Sequence, residues 1–106
     1  MTAGQGFDLH PLAAQDITDI RTYIADDSPQ AARRFREEIL AAIRALVPFP
    51  NLGHPRPGLT SQPLRFTVVR EYLIANAPEE KPLWVVAVMH GRRSPRVMAA
   101  ILRGRE

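Results

Sequence analysis

Apolar residues recur along the first half of the chain at the spacing of a helix. Ile17, Ile20 and Ile24, with Ala13 one turn upstream, lie three or four apart, while Asp16, Asp19 and Arg21 fall on other faces. This predicts an amphipathic helix of about fourteen residues, opening at Pro11, whose missing N–H is harmless in a first turn. A second helix follows. Ala32, Phe35, Ile39, Ala42 and Leu46 form a stripe that Ala31, Ile43 and Val47 widen, and Arg33, Arg34, Arg36, Glu37, Glu38 and Arg44 make up its wet face. Between them "DDSPQ" (26–30) supplies a stop and a restart, with Ser28 as N-cap and Pro29 at the first helical position. So short a connection folds the two helices into an antiparallel hairpin.

The period then changes. Residues 48–63, "PFPNLGHPRPGLTSQP", hold five prolines and two glycines, a density no regular element survives; a stiff surface crossover is expected. "PLRFTVVREYLIANAP" (63–78) and "PLWVVAVMHG" (82–91) are rich in β-branched and aromatic residues. They predict strands over 64–69, 71–76 and the apolar 82–91, with tight joins around Arg70–Glu71 and at "APEEKP". "GFDLH" (6–10) reads as an opening strand. After Gly91, Ser94 caps and Pro95 starts a short helix carrying Val97, Met98, Ile101 and Leu102. The expected fold is α+β and a single domain over 1–106. It has an N-terminal strand, a helix hairpin packed on a three- to four-stranded, mostly antiparallel sheet, and a short C-terminal helix.

Composition narrows the classes. The chain has 106 residues and no cysteine, so disulfides and Cys-ligated zinc are excluded. The three histidines are scattered, and no Asp/Glu constellation suggests a metal; neither metal nor cofactor is expected. The opening "MTAGQGFDLHPLAA" has no basic region followed by an apolar core, and no apolar run approaches ~18 residues. A cytoplasmic protein is the expectation. Charge is uneven: residues 1–50 carry five arginines against seven acids, and 51–106 eight arginines and one lysine against four acids. A basic half of this kind suits a large anionic partner.

The candidate chemistry gathers where "VVAVMHGRRSPR" (85–96) turns from apolar to cationic. His90 belongs to the residue type whose charge changes near neutrality. With Arg65 and Arg92 as a phosphate clamp it is a candidate catalytic residue if the chain cleaves RNA, with His54 as a possible second proton carrier. A histidine bonding its ring to backbone at a strand end is the competing reading. Docking requires no proton transfer, and Arg65, Arg92, Arg93 and Arg96 fit that role as target-binding residues. Arg65, Arg92 and Arg93 are expected together at one sheet edge, though Arg65 has a structural alternative in a pair with Glu71 or a helix aspartate. Tyr23 and Tyr72 fall on patterned positions and are expected to pack.

Four strings, taken in order, resemble the RelE/ParE superfamily of toxins from bacterial type II toxin–antitoxin systems, and its ParE branch in particular. They are "LHPLAAQDITDIRTYI", "SPQAARRFREEILAAIRALVPFPNLG", "LRFTVVREYLI" and "VVAVMHGRRSP", and the resemblance runs from about residue 7 to residue 103. It implies a toxin neutralised by a cognate ParD-like antitoxin, acting by direct binding to DNA gyrase. A RelE-like endoribonuclease acting on mRNA at the ribosome is the alternative, and a relic that only binds its antitoxin is a third. Ribonuclease members supply several lysines, or an Arg with a Glu, and a Tyr or His near the C-terminus. This chain has Lys81 alone, in a polar turn, and nothing aromatic after Trp84.

Overall fold

The computed structural model describes residues 6–106. In chain order the elements are β1 (Phe7–Leu9), α1 (Pro11–Ala25), α2 (Pro29–Leu46), β2 (Arg65–Val69), β3 (Tyr72–Ala77), β4 (Leu83–His90) and α3 (Pro95–Arg103). The expected α+β order is present. Helix starts follow the local chemistry. Ser28 Oγ accepts from Ala31 N–H at 3.1 Å and Ser94 Oγ from Val97 N–H at 3.2 Å, each with proline next in the chain. At α1 the cap is His10, whose Nδ1 accepts from Leu12 N–H at 3.0 Å.

The sheet runs β1-β4-β3-β2. β2, β3 and β4 are antiparallel, and β1 adds to β4 in parallel register, Phe7 opposite Leu83 and Leu9 opposite Val85. β4 is therefore central over its first half, which accounts for an apolar run on both faces. Two apolar layers sandwich the sheet. On one face Ala13, Ile17, Phe35, Ile39, Ile43 and Leu46 of the helix hairpin pack on Ile74, Val85 and Val88. On the other, Met98 and Leu102 of α3, with Leu59 of the Pro-rich segment and Leu64 just before β2, cover Phe66, Leu73, Ala75 and Met89.

The Pro-rich segment is more than a surface crossover. His54 makes a two-bond bridge with Phe66 on the outer side of β2, and Leu59 enters the core. Side chains of the sheet take the carbonyls of Pro50, Asn51 and Gly53. Asn76 Nδ2 donates to Pro50 O at 3.1 Å, and Arg65 Nη1 donates to Gly53 O at 3.0 Å. Gly53 is required by close approach: a Cβ there would lie 2.6 Å from Phe66 O.

Candidate functional site

The β2–β3 and β4–α3 turns lie side by side because Tyr72 pairs with His90 and Val69 with Tyr72. Gly91 N–H donates to Glu71 O at 2.7 Å, joining the turns directly. The tight β2–β3 turn places Arg70 in the left-handed region, φ +55°, an uncommon conformation for a side-chain-bearing residue. From there its guanidinium reaches α2 and grips Glu38 in two-pronged fashion, with Nη2–Oε2 at 2.9 Å. The Arg70 hydrogen bond, acting against desolvation and assisted by the charges of Arg70 and Arg34, holds the Glu38 carboxyl below the usual carboxylate range. The same pairing raises Arg70.

Tyr72 is the hub. Its ring sits edge-on between Phe35, 4.9 Å between centroids, and His90, 5.2 Å. Burial, with the Glu71 charge and the neighbouring Tyr23 phenol, pushes its hydroxyl above the ordinary tyrosine value. Cavities of about 360 Å³ open on either side of it. One lies toward Arg34 and Glu38 of α2, the other toward Asp19 and Tyr23 of α1 and the strand-end residues His90 and Arg93.

His90 is engaged at both ring nitrogens. Nδ1 accepts from Arg92 N–H at 3.0 Å, which places the neutral ring's proton on Nε2, 3.3 Å from Glu71 Oε2. The residue thus fastens the two turns together. His54 lies beyond the outer edge of β2, three strand spacings from β4, roughly 14 Å across the sheet. It also sits at the level of Phe66, three residues along the strand from Val69, a further ~10 Å. The two histidines therefore cannot serve one phosphodiester.

The sequence predicts Arg65 beside Arg92 and Arg93 at one sheet edge, whereas the structure separates them. Arg65 opens β2 opposite Asn76, at the other end of the sheet from the Tyr72–His90 pair. Its guanidinium binds the carbonyls of Asn51 and Gly53, and neither Glu71 nor a helix aspartate is its partner. Glu71 faces His90 instead. Arg92, Arg93 and Arg96 do fall together in the β4–α3 turn and the first turn of α3. All three are exposed and make no ion pair among the described residues. Tyr23 was expected to pack, yet it is 80% exposed on α1.

Two further elements were invisible in the sequence. Asp16, assigned there to a solvent face of α1, turns to the free edge of β4. Its Oδ2 accepts from Val88 N–H at 3.0 Å, and both oxygens are held by Arg105. Arg105 Nη1 also donates to Val86 O at 3.1 Å. Beyond Val85, where β1 has ended, this ion pair takes the place of a neighbouring strand. Among the described residues no His, Cys, Asp and Glu cluster could hold a metal ion, and no helix is long and apolar enough to cross a membrane.

A family model described as "ParE toxin of type II toxin-antitoxin system, parDE" matches residues 7–95, from β1 to the first residue of α3. No curated protein matches the sequence.

Proposed function

From the premise that this chain belongs to the ParE toxin family of type II toxin–antitoxin systems, we propose that it inhibits DNA gyrase by direct contact. In this reading it works in the cytoplasm and is held inactive by a ParD-like antitoxin. The observation that carries this reading is the run of exposed cations after β4. Arg92, Arg93 and Arg96 have no carboxylate partner among the described residues, and Arg103 on α3 is likewise exposed. Unspent guanidiniums projecting from one ordered turn suit a large acidic protein surface, which they would find by electrostatic steering and hold by forked hydrogen bonds.

A contact mechanism asks for no proton carrier, and that matches the site. Strand cleavage of RNA needs a base, an acid and cations converging on one phosphate. Here His90 is tied to Arg92 N–H and Glu71, His54 is on the far side of the sheet, and Arg65 is occupied with loop carbonyls. The sheet face away from the hairpin is filled with Phe66, Leu73, Ala75 and Met89 beneath α3, which leaves no polar floor for a nucleotide. Arg65 is accordingly a positioning residue for the Pro-rich segment, and the proposed target contacts are Arg92, Arg93 and Arg96.

The test is direct. Purified chain is added to gyrase with relaxed plasmid, and separately to a translating extract with labelled message. Loss of supercoiling with intact message is expected, and the triple variant Arg92→Ala/Arg93→Ala/Arg96→Ala should restore supercoiling. Message cut at defined codons with gyrase untouched overturns the reading in favour of a ribonuclease. Silence in both assays, with antitoxin binding retained, identifies a relic.

A further inference from the structure

Three successive backbone N–H groups open the turn after β4, and all three are spent locally. Gly91 N–H donates to Glu71 O at 2.7 Å and Arg93 N–H to His90 O at 3.1 Å. Between them Arg92 N–H donates to His90 Nδ1 at 3.0 Å. The outer two acceptors are carbonyls, which do not titrate. The middle one is a ring nitrogen of the residue type whose charge changes near neutrality. It is within reach of solvent protons, since the His90 side chain is 30% exposed.

Charged groups face this ring unevenly. Glu71 Oε2 lies 3.3 Å from Nε2, and α1 brings Asp16, Asp19 and Tyr23 to the cavity that His90 lines. Asp16 is paired with Arg105, and Asp19 accepts from Gln15 Nε2, an uncharged donor. Arg93 lines the same cavity, and Tyr72 stands edge-on at 5.2 Å. A carboxylate therefore waits at Nε2, while the chain at Nδ1 carries Arg92 and Arg93.

Adding a proton has opposite effects at the two nitrogens. At Nδ1 the acceptor becomes a donor, so Arg92 N–H loses its partner and meets another N–H. At Nε2 the contact with Glu71 becomes charge-assisted and stronger. The imidazolium is thus drawn toward Glu71 and away from Arg92, and it repels Arg93 across the cavity they share. His10 makes the same bond at the head of α1, accepting from Leu12 N–H, but has no ion-pair partner among the described residues. His90 has a partner in each charge state.

We propose that His90 is a positioning residue for the arginine turn: its neutral ring holds Arg92 and Arg93 in place, and its protonated ring lets the turn go. Target contact is then firm at neutral pH and weakens on acidification. The consequence for gyrase rests on the function proposed for that turn; the release of the turn itself does not.

Amide exchange and ¹⁵N spectra of the chain alone, taken from about pH 8 to about pH 5, read the turn directly. The Arg92 protection factor is expected to fall about fivefold, the loss of one hydrogen bond, as ring ¹⁵N shifts show the proton entering at Nδ1. His90→Asn offers an oxygen that accepts the same N–H without titrating, so protection should persist at every pH. His90→Ala should lack it at every pH. With gyrase, the half-inhibiting concentration of the native chain, taken relative to His90→Asn at each pH, should rise about fivefold on acidification. Constant Arg92 protection, or an equal fall in His90→Asn, overturns the proposal. So does a flat ratio of inhibiting concentrations in a chain that inhibits gyrase. A turn that titrates in a chain that spares gyrase defeats only the target, and inhibition with Arg92 protected throughout defeats this inference alone.

Discussion

Arg105 grips both carboxylate oxygens of Asp16, 89 residues away in sequence, with Nη2–Oδ1 at 2.8 Å. Their side chains are only 9% and 18% exposed. The pair also satisfies Val88 N–H and Val86 O on a strand edge that β1 is too short to cover. Removing either partner leaves a shielded charge and an unpaired backbone group. Asp16→Ala and Arg105→Ala are each expected to lower the unfolding free energy by about 3 kcal/mol, read from urea denaturation with an unchanged m-value. Losses below ~1 kcal/mol from both would show that the edge is closed by something else.

The Glu38–Arg70 pair gives a pH signature. The Arg70 guanidinium holds its folded carboxyl below the ordinary value of 4.5, so its contribution is present above that value and fades as pH falls through the lower, folded one. Stability of the native chain should therefore drop on acidification below about pH 4.5 more steeply than that of Glu38→Gln. Parallel acid limbs for the two proteins would remove Glu38 from the account.

Only two tyrosines are present, Tyr23 and Tyr72, so ultraviolet phenolate absorbance resolves them after one substitution. In Tyr23→Phe the remaining phenol is expected to ionise above its reference value of 10.0, because burial and Glu71 persist. Adding Glu71→Gln should bring the midpoint down. A midpoint at or below 10.0 in the first variant would place Tyr72 in water rather than against Phe35.

Gly53→Ala forces a methyl 2.6 Å from Phe66 O and 2.8 Å from Thr67 Oγ1. Both neighbours belong to a packed strand, so the loop must yield. A loss of about 1–3 kcal/mol is expected, with faster amide exchange at His54. Arg65→Ala, which frees the Gly53 carbonyl, should cost about 1 kcal/mol. Arg93→Ala should stay within ~0.5 kcal/mol. Equal stabilities for the two arginine variants would contradict the positioning role of Arg65.

What could be read in advance depended on how far apart the interacting residues lie. Ser28–Pro29 and Ser94–Pro95 fix helix starts from adjacent residues, and the Ala32–Leu46 stripe declares its own buried face; all of these were legible. Arg70 and Glu71 marked the turn between two strands for the same local reason. The destination of a charged side chain is a different matter. Asp16 looked like a solvent residue because helical phase alone sets its face, and only the sheet's topology brings Val88 N–H and Arg105 to it. Arg65 and Arg92 shared composition and a β-rich half, yet the register opposite Asn76 puts Arg65 at the wrong end of its strand for that company. Tyr23 had the right period for packing, yet Ile20 and Ile24 take the core-facing positions of that turn and leave Tyr23 80% exposed at the rim of the cavity it lines with Tyr72 and His90.

The parallel pairing of β1 with β4 has a consequence for how the molecule comes together. The helix hairpin is contiguous and can close early, whereas the three residues of β1 have nothing to bond until Leu83–Val85 are in place, and Asp16 has no counter-ion until Arg105 arrives. Such long-range closures are slow relative to local ones. An amino-terminal fragment would therefore be a half-finished shell, its apolar lining exposed, and the Asp16–Arg105 clasp would come into being only with the last stretch of chain.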